Sequence, residues 1–209
     1  WNNGLPNGGT AKSVTPLIND HMFAIGTDDR VYVTYKGWGT GWGTWGLWNN
    51  NLPNGGTAKS VTPLINGHMF AIGTDDRLYV TYTGWGTGWG TWQYWDTGLP
   101  EGKVKYVTSF INSHMFAVGM DNKVYVRYHS GSAWTSWFLW NNNLPNGGTA
   151  ILVTPLIVGH IFAIGSDNNV YVTYTGWGSG WGTWQPWTTG LPGGGTTPTP
   201  PTGGVTLPA

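Results

Sequence analysis

No cysteine occurs in the 209 residues. Disulfide staples and Cys-ligated zinc are therefore excluded, while the compartment stays open, because secreted domains with adequate cores also do without disulfides. Charge is nearly as scarce. Asp, Glu, Lys and Arg make up 9% of the chain, against about 25% in an ordinary soluble domain. Nine basic and nine acidic residues cancel, which leaves no field to draw a polyphosphate, so nucleic acid and anionic membrane surfaces are poor partners. No apolar run approaches the roughly 20 residues of a bilayer-spanning helix, and no charged-then-apolar leader follows Trp1. The chain reads as a mature or excised segment of a soluble protein that does not insert into membranes.

What the chain has in excess is aromatic and flexible: 16 Trp, 10 Tyr, 35 Gly and 13 Pro. The aromatic area argues against disorder, because disordered chains lack apolar surface to bury. Self-similarity then decides the architecture. One unit is written four times, over 1–47, 48–94, 95–139 and 140–186, and a fifth copy starts at Trp187. The first two copies differ at six positions, and the third is the most divergent and the shortest. Residues 193–209 are rich in Pro, Gly and Thr and read as a linker or tail. The repeats, 1–192, read as one β-rich domain.

Within a copy the hydrophobic period is two, and no stretch keeps a period of 3.6 for the length of a helix. Four strands fit the first copy, at 13–18, 21–26, 31–35 and 42–48, separated by Asn-Asp, Thr-Asp-Asp and Gly-rich turns. Pro16 falls inside the first of these and requires a strand end or a bulge. Large side chains occur on both parities, Phe23 and Ile25 against Met22 and Ala24, and Trp45 against Trp42 and Trp48. A strand covered on both faces and a unit of about 45 residues together predict an all-β fold, a β-propeller of four-stranded antiparallel blades with about 47 residues per blade and four blades in the chain.

The stretch at 21–35, HMFAIGTDDRVYVTY, followed by the Trp pattern seen at 131–137, GSAWTSW, resembles the blade motif of bacterial β-propeller lectins of the seven-bladed, fucose-binding type. Tachylectin-2 and the tectonins are more distant likenesses. The resemblance implies monosaccharide pockets between adjacent blades. Copies one, two and four depart from that pattern by two additional residues and an additional Trp: Trp38, Trp85 and Trp177.

Those three tryptophans sit between glycines, where no packing pattern accounts for them, and exposing so large an apolar group calls for a partner. They are the first candidates for carbohydrate contact. Trp42, Trp89, Trp134 and Trp181 form the second set, with Asn2, Asn49 and Asn141 as hydrogen-bond partners in the loops after each blade-closing Trp. Trp45, Trp92, Trp137 and Trp184 fit core packing, and Trp48, Trp95, Trp140 and Trp187 close the blades. His21, His68, His114 and His160 read as strand-opening residues that hydrogen-bond a loop rather than as metal ligands. The repeated Asp-Asp and Asp-Asn pairs lack the alternating oxygen series of a calcium loop and suit hairpin turns. No metal and no cofactor is expected.

Six of the nine acidic residues sit in those turns, and nothing outside the repeat plan assembles a carboxylate pair or a triad. The expected protein is a secreted, non-enzymatic lectin that reads neutral monosaccharides on glycans: fucose-like sugars first, then GlcNAc, GalNAc or methylated sugars. Multivalency would supply avidity, and a homo-oligomer is compatible. Two alternatives stand beside it. One is a structural or protein-interaction propeller attached to a catalytic domain outside this sequence; the other is a repeat fragment or design that completes a larger propeller from two or more chains.

Overall fold

The computed structural model describes residues 5, 10–18, 20–37, 41–48, 52–84, 88–109, 112–131, 133–140, 144–145, 147–156, 159–176 and 180–187. Each copy builds its own antiparallel sheet. In the first, β1 (Ala11–Val14), β2 (His21–Gly26) and β3 (Val31–Gly37) follow one another, and β4 (Gly41–Trp42) and β5 (Gly46–Leu47) both pair with β3. The fourth strand of the blade is thus split in two. The second copy repeats this with β6 (Ala58–Val61), β7 (His68–Gly73), β8 (Leu78–Gly84), β9 (Gly88–Trp89) and β10 (Gln93–Tyr94). The third has β11 (Val104–Val107), β12 (His114–Gly119), β13 (Val124–Ser130), β14 (Ala133–Trp134) and β15 (Phe138–Leu139). The fourth has β16 (Ala150–Val153), β17 (His160–Gly165), β18 (Val170–Gly176), β19 (Gly180–Trp181) and β20 (Gln185–Pro186). The four-bladed propeller plan read from the sequence is the fold observed.

Two details differ from expectation, each for a local reason. The first strand ends at Val14 rather than running to Ile18, and Pro16 lies beyond it, where no ladder hydrogen bond is asked of it. Thr15 carries the pairing one step further: its amide donates to the Phe23 carbonyl at 2.8 Å, and its hydroxyl accepts from the Phe23 amide at 3.0 Å. The same hydroxyl bond recurs at Thr62, Thr108 and Thr154. The fourth strand breaks because the Gly43 amide is drawn to the Tyr35 carbonyl at 2.9 Å, while the Thr34 hydroxyl donates to the Gly43 carbonyl at 2.7 Å. Past this break Trp92, Trp137 and Trp184 turn into the core, while Trp45 is half-buried against the first-blade cluster of Leu5, Ala24 and Tyr32.

The central hairpin of each blade is held by its first turn residue. Asp28 accepts from the Tyr32 hydroxyl at 2.7 Å and from the Arg30 amide at 3.1 Å, and Asp75, Asp121 and Asp167 do the same for Tyr79, Tyr125 and Tyr171. The second turn residue, Asp29, Asp76, Asn122 or Asn168, takes the left-handed conformation with φ between 62° and 67°, which Asp and Asn tolerate best after glycine. Burial pushes the Asp28 carboxyl up, but the Tyr32 hydroxyl and the Arg30 amide outweigh it and hold the group below the ordinary carboxylate value. Asp167 is also held low, chiefly by the Tyr171 hydroxyl. Burial, reinforced by the carboxylates, pushes Tyr32, Tyr79, Tyr125 and Tyr171 above the ordinary phenol value.

These shifts have a sign. A carboxylate with a lowered folded pKa stabilises the fold above its unfolded value and loses that contribution as pH falls through the folded one; a phenol with a raised pKa does the reverse. The melting temperature should therefore be flat from roughly pH 5 to 9, and fall below about pH 3.9 and above about pH 10. Calorimetry at pH 2.5, 7 and 11 checks this, and equal midpoints at all three would contradict it.

Packing between blades is as regular as packing within them. One face of the first blade, with Phe23, Ile25, Val31 and Trp48, meets the opposite face of the second, with Ala58, Leu64, Met69 and Trp92. Equivalent clusters join the second blade to the third, and the third to the fourth. A backbone bond crosses every one of these junctions: the amides of Ala58, Val104 and Ala150 donate to the carbonyls of Asp29, Asp76 and Asn122 at 2.8, 2.9 and 2.7 Å. Both faces of the second and third blades are therefore core, which is why large residues occupy both strand parities.

Candidate functional site: aromatic rows at the blade junctions

The second strand of each blade begins with a histidine, and register places a tyrosine opposite it: His21 with Tyr35, His68 with Tyr82, His114 with Tyr128, His160 with Tyr174. Ring centroids in these pairs lie 5.8–6.4 Å apart. Two residues along the strand, and so on the same face, comes phenylalanine, with the His114 and Phe116 rings 6.3 Å apart and nearly parallel at 9°. Beyond it is the blade-closing tryptophan, Trp140, 5.2 Å from Phe116. The third blade thus carries a row Tyr, His, Phe, Trp that runs from solvent into the junction core. Tyr35, Tyr82, Tyr128 and Tyr174 are all exposed, while Phe116 and Trp140 are buried.

The histidine ring has a fixed orientation. His68 Nδ1 donates to the Asn66 carbonyl at 2.9 Å and His114 Nδ1 to the Asn112 carbonyl at 2.8 Å. Asn66 and Asn112 both have positive φ, 51° and 50°, which turns their carbonyls back toward the ring. The strand-opening, loop-bonding role read for these histidines is the one observed at both positions.

At the third blade the row opens into a cleft of about 400 Å³ lined by His114, Val126, Tyr128, Phe138 and Trp140. That is within the range of small-molecule pockets, roughly 300–1,000 Å³. Its walls are aromatic and aliphatic and almost wholly apolar. Phe138 meets Tyr128 edge to face at 5.8 Å and 87°. The other copies carry Gly46, Gln93 and Gln185 in its place, so the aromatic wall that Phe138 supplies is peculiar to the third blade.

At the junction of the second and third blades, Trp134 stands edge-on to His68 at 6.3 Å and to Trp95 at 5.5 Å. His129 adds a third edge contact at 5.4 Å. Arg127, where the other copies have Thr34, Thr81 and Thr173, lays its guanidinium 3.9 Å over Trp95 and 5.8 Å from Trp134. Arg127 is only 9% exposed, its Nε has no hydrogen-bond partner among the described residues, and burial draws its pKa down to about 10. It remains charged at neutral pH, held by aromatic faces rather than by an acid. Arg127→Met, which keeps length and removes the stranded charge, should leave folding stability within about 1 kcal/mol of the parent or raise it. Urea unfolding measures this, and a loss above about 2 kcal/mol would show that the charge is compensated.

The structure places the residues singled out from sequence as follows. Trp42 lies on β4 opposite Lys36 and is half-buried, and Trp134 is half-buried in the junction cluster just described. Trp89 and Trp181 lie on β9 and β19, opposite Thr83 and Thr175. Trp38, Trp85, Trp177, Asn2, Asn49 and Asn141 lie outside the described residues. Trp92, Trp137 and Trp184 are buried in the junction clusters, as core packing requires. The exposed tyrosines and Arg127 were not singled out. A signal for the tyrosines existed, since a hairpin turning at Asp28-Asp29 pairs His21 with Tyr35 by counting alone.

No protein-family model matches the chain, and no curated protein is similar enough to count as a relative. Among solved structures, yeast RCC1 (Prp20), crystallised with Kap60, is similar over 82% of this chain and 46% of its own, with 13% identity and a TM-score of 0.54. Prp20p from Saccharomyces cerevisiae, described with its binding properties to Gsp1p and histones, is similar over 82% of this chain and 47% of its own, at 12% identity and TM-score 0.55. YCF48 bound to D1 peptide is similar over 85% of this chain and 53% of its own, at 16% identity and TM-score 0.49. The chain therefore spans about half the length of the yeast propellers it matches. At this identity the likeness establishes the class, a β-propeller built of sequence repeats.

Proposed function

We propose that the chain is a non-catalytic binding propeller that recognises neutral glycans through the aromatic rows at its blade junctions. The observation that supports this is the nearly apolar cleft at His114, Tyr128, Phe138 and Trp140, where aromatic side chains line the wall and His114 and Tyr128 are the residues with polar groups. The C–H face of a pyranose packs on such plates, and its hydroxyl rim needs a few fixed hydrogen-bonding groups. A chain with so few charges contributes little Coulomb attraction, which suits an uncharged ligand. Each site is shallow, with affinity on the order of millimolar to micromolar, and repetition provides avidity. A secreted location accords with this reading.

A second reading is a protein-interaction propeller, and the comparisons favour it over the first: the yeast propellers of similar fold are described in complex with Kap60 or as binding Gsp1p and histones. A glycan array separates the two. The glycan reading predicts binding that a free neutral monosaccharide inhibits, with fucose-like sugars tested first. An array with no binding at any neutral or amino sugar would overturn it in favour of a protein partner.

A further inference from the structure

The first and fourth blades differ from the inner two in which face is covered. Val14 is 59% exposed, while its repeat Val61 is half-buried and Val107 and Val153 are 5% and 0% exposed. Leu17 is 42% exposed, while Leu64 and Leu156 are both 5% exposed. At the other end, Ile164 is 37% exposed where Ile25, Ile72 and Val118 lie between 0% and 2%, and Trp187 is 49% exposed where Trp48 and Trp140 are 7% and 6% exposed and Trp95 is half-buried. Leu5, Ala24 and Tyr32, with Trp45 against them, form a small cluster of first-blade residues alone. Among the described residues no cluster joins the fourth blade to the first.

The two open faces are complementary by construction. The leading face of the first blade repeats the surface that each later blade offers to its predecessor, and the trailing face of the fourth repeats the surface that each earlier blade offers to its successor. We infer that two copies of this chain close one ring, with the fourth blade of each seated on the first blade of the other through a junction of the kind already made three times within the chain. The Asn168 carbonyl and the Ala11 amide of the partner would supply the fourth version of the bond now made from Ala58 to Asp29, from Val104 to Asp76 and from Ala150 to Asn122. Two head-to-tail contacts related by a two-fold axis leave no open face, the condition for a closed assembly rather than a filament. The junctions would cover Val14, Leu17, Ile164 and Trp187, apolar side chains left open at the two ends. This inference stands independently of what the junction clefts hold.

Light scattering of the 209-residue chain at tens of micromolar should give twice the 22.7 kDa of one chain. Val14→Glu with Ile164→Glu places unpaired charge in the new junctions and should return it to 22.7 kDa with an unchanged far-ultraviolet spectrum. A cross-link keeps the inference testable if that variant fails to fold. Arg77 and Lys103 face each other as a bridge across the second junction, and their repeats at the open ends are Asn169 and Thr10. In a chain without cysteine, Thr10→Cys with Asn169→Cys should oxidise to a covalent dimer. A monomer at tens of micromolar, a ladder of higher oligomers, or a cross-linking variant that stays at monomer mass would each overturn the inference.

Discussion

Phe116→Ala should cost about 3–5 kcal/mol of folding stability, the range for emptying a fully buried aromatic site. The ring is entirely buried and lies 5.2 Å from Trp140 at an interplanar angle of 32°. Its cluster draws side chains from both the third and the fourth blade, so the cavity opens at a junction and loosens two sheets together. Collapse around the hole is restricted, because Phe116 is pinned through its own backbone: its amide donates to the Thr108 hydroxyl at 2.9 Å, and its carbonyl accepts from the Thr108 amide at 2.9 Å. Urea unfolding followed by tryptophan fluorescence should show the midpoint shifted by that amount. A loss below about 1 kcal/mol would mean that the junctions are not the core of the fold.

The largest functional effect should come from residues that contribute almost nothing to that core. Tyr35, Tyr82, Tyr128 and Tyr174 are the outermost rings of the four rows and are all exposed. Replacing all four by Ala should leave the melting temperature within a few degrees and lower binding to a glycan-coated surface by two orders of magnitude or more. An aromatic contact worth about 0.5–1.5 kcal/mol beyond its area is up to roughly tenfold at one site, and avidity multiplies losses over sites engaged together. Surface plasmon resonance on a glycan-coated chip, paired with calorimetry of the same variant, reads both quantities. Unchanged binding would remove the rows from the site, and a collapse of the melting temperature would assign these tyrosines to packing.

The sequence carried the fold well because the physics of a blade is local. Four copies with period-two alternation, Asp-Asp and Asp-Asn turns and large residues on both parities leave few architectures, and the hairpin register of β2 and β3 follows from the turn. Two features depend on atoms that a pattern of residue types does not hold. The early end of the first strand, at Val14, and the split of the fourth, at Gly43, arise from Thr hydroxyls competing for backbone groups, which periodicity cannot register. The functional reading followed the tryptophans because composition drew attention to them. The burial of Trp92, Trp137 and Trp184 agrees with the core role assigned to them, while the ring rows emerge only when β2 and β3 are placed side by side. Arg127 is not legible in the sequence for a related reason: one cation among threonines has the pattern of a surface residue, and only the fold lays it over the Trp95 face.

The central claim is that the junction rows hold the apolar face of a neutral sugar ring, and saturation-transfer NMR with a panel of free neutral monosaccharides tests it most directly. The account predicts transfer from the protein to the ring C–H protons of at least one sugar at millimolar concentration, lost in the variant without the four exposed tyrosines. No transfer to any sugar in the panel, or transfer that persists undiminished in that variant, would contradict it.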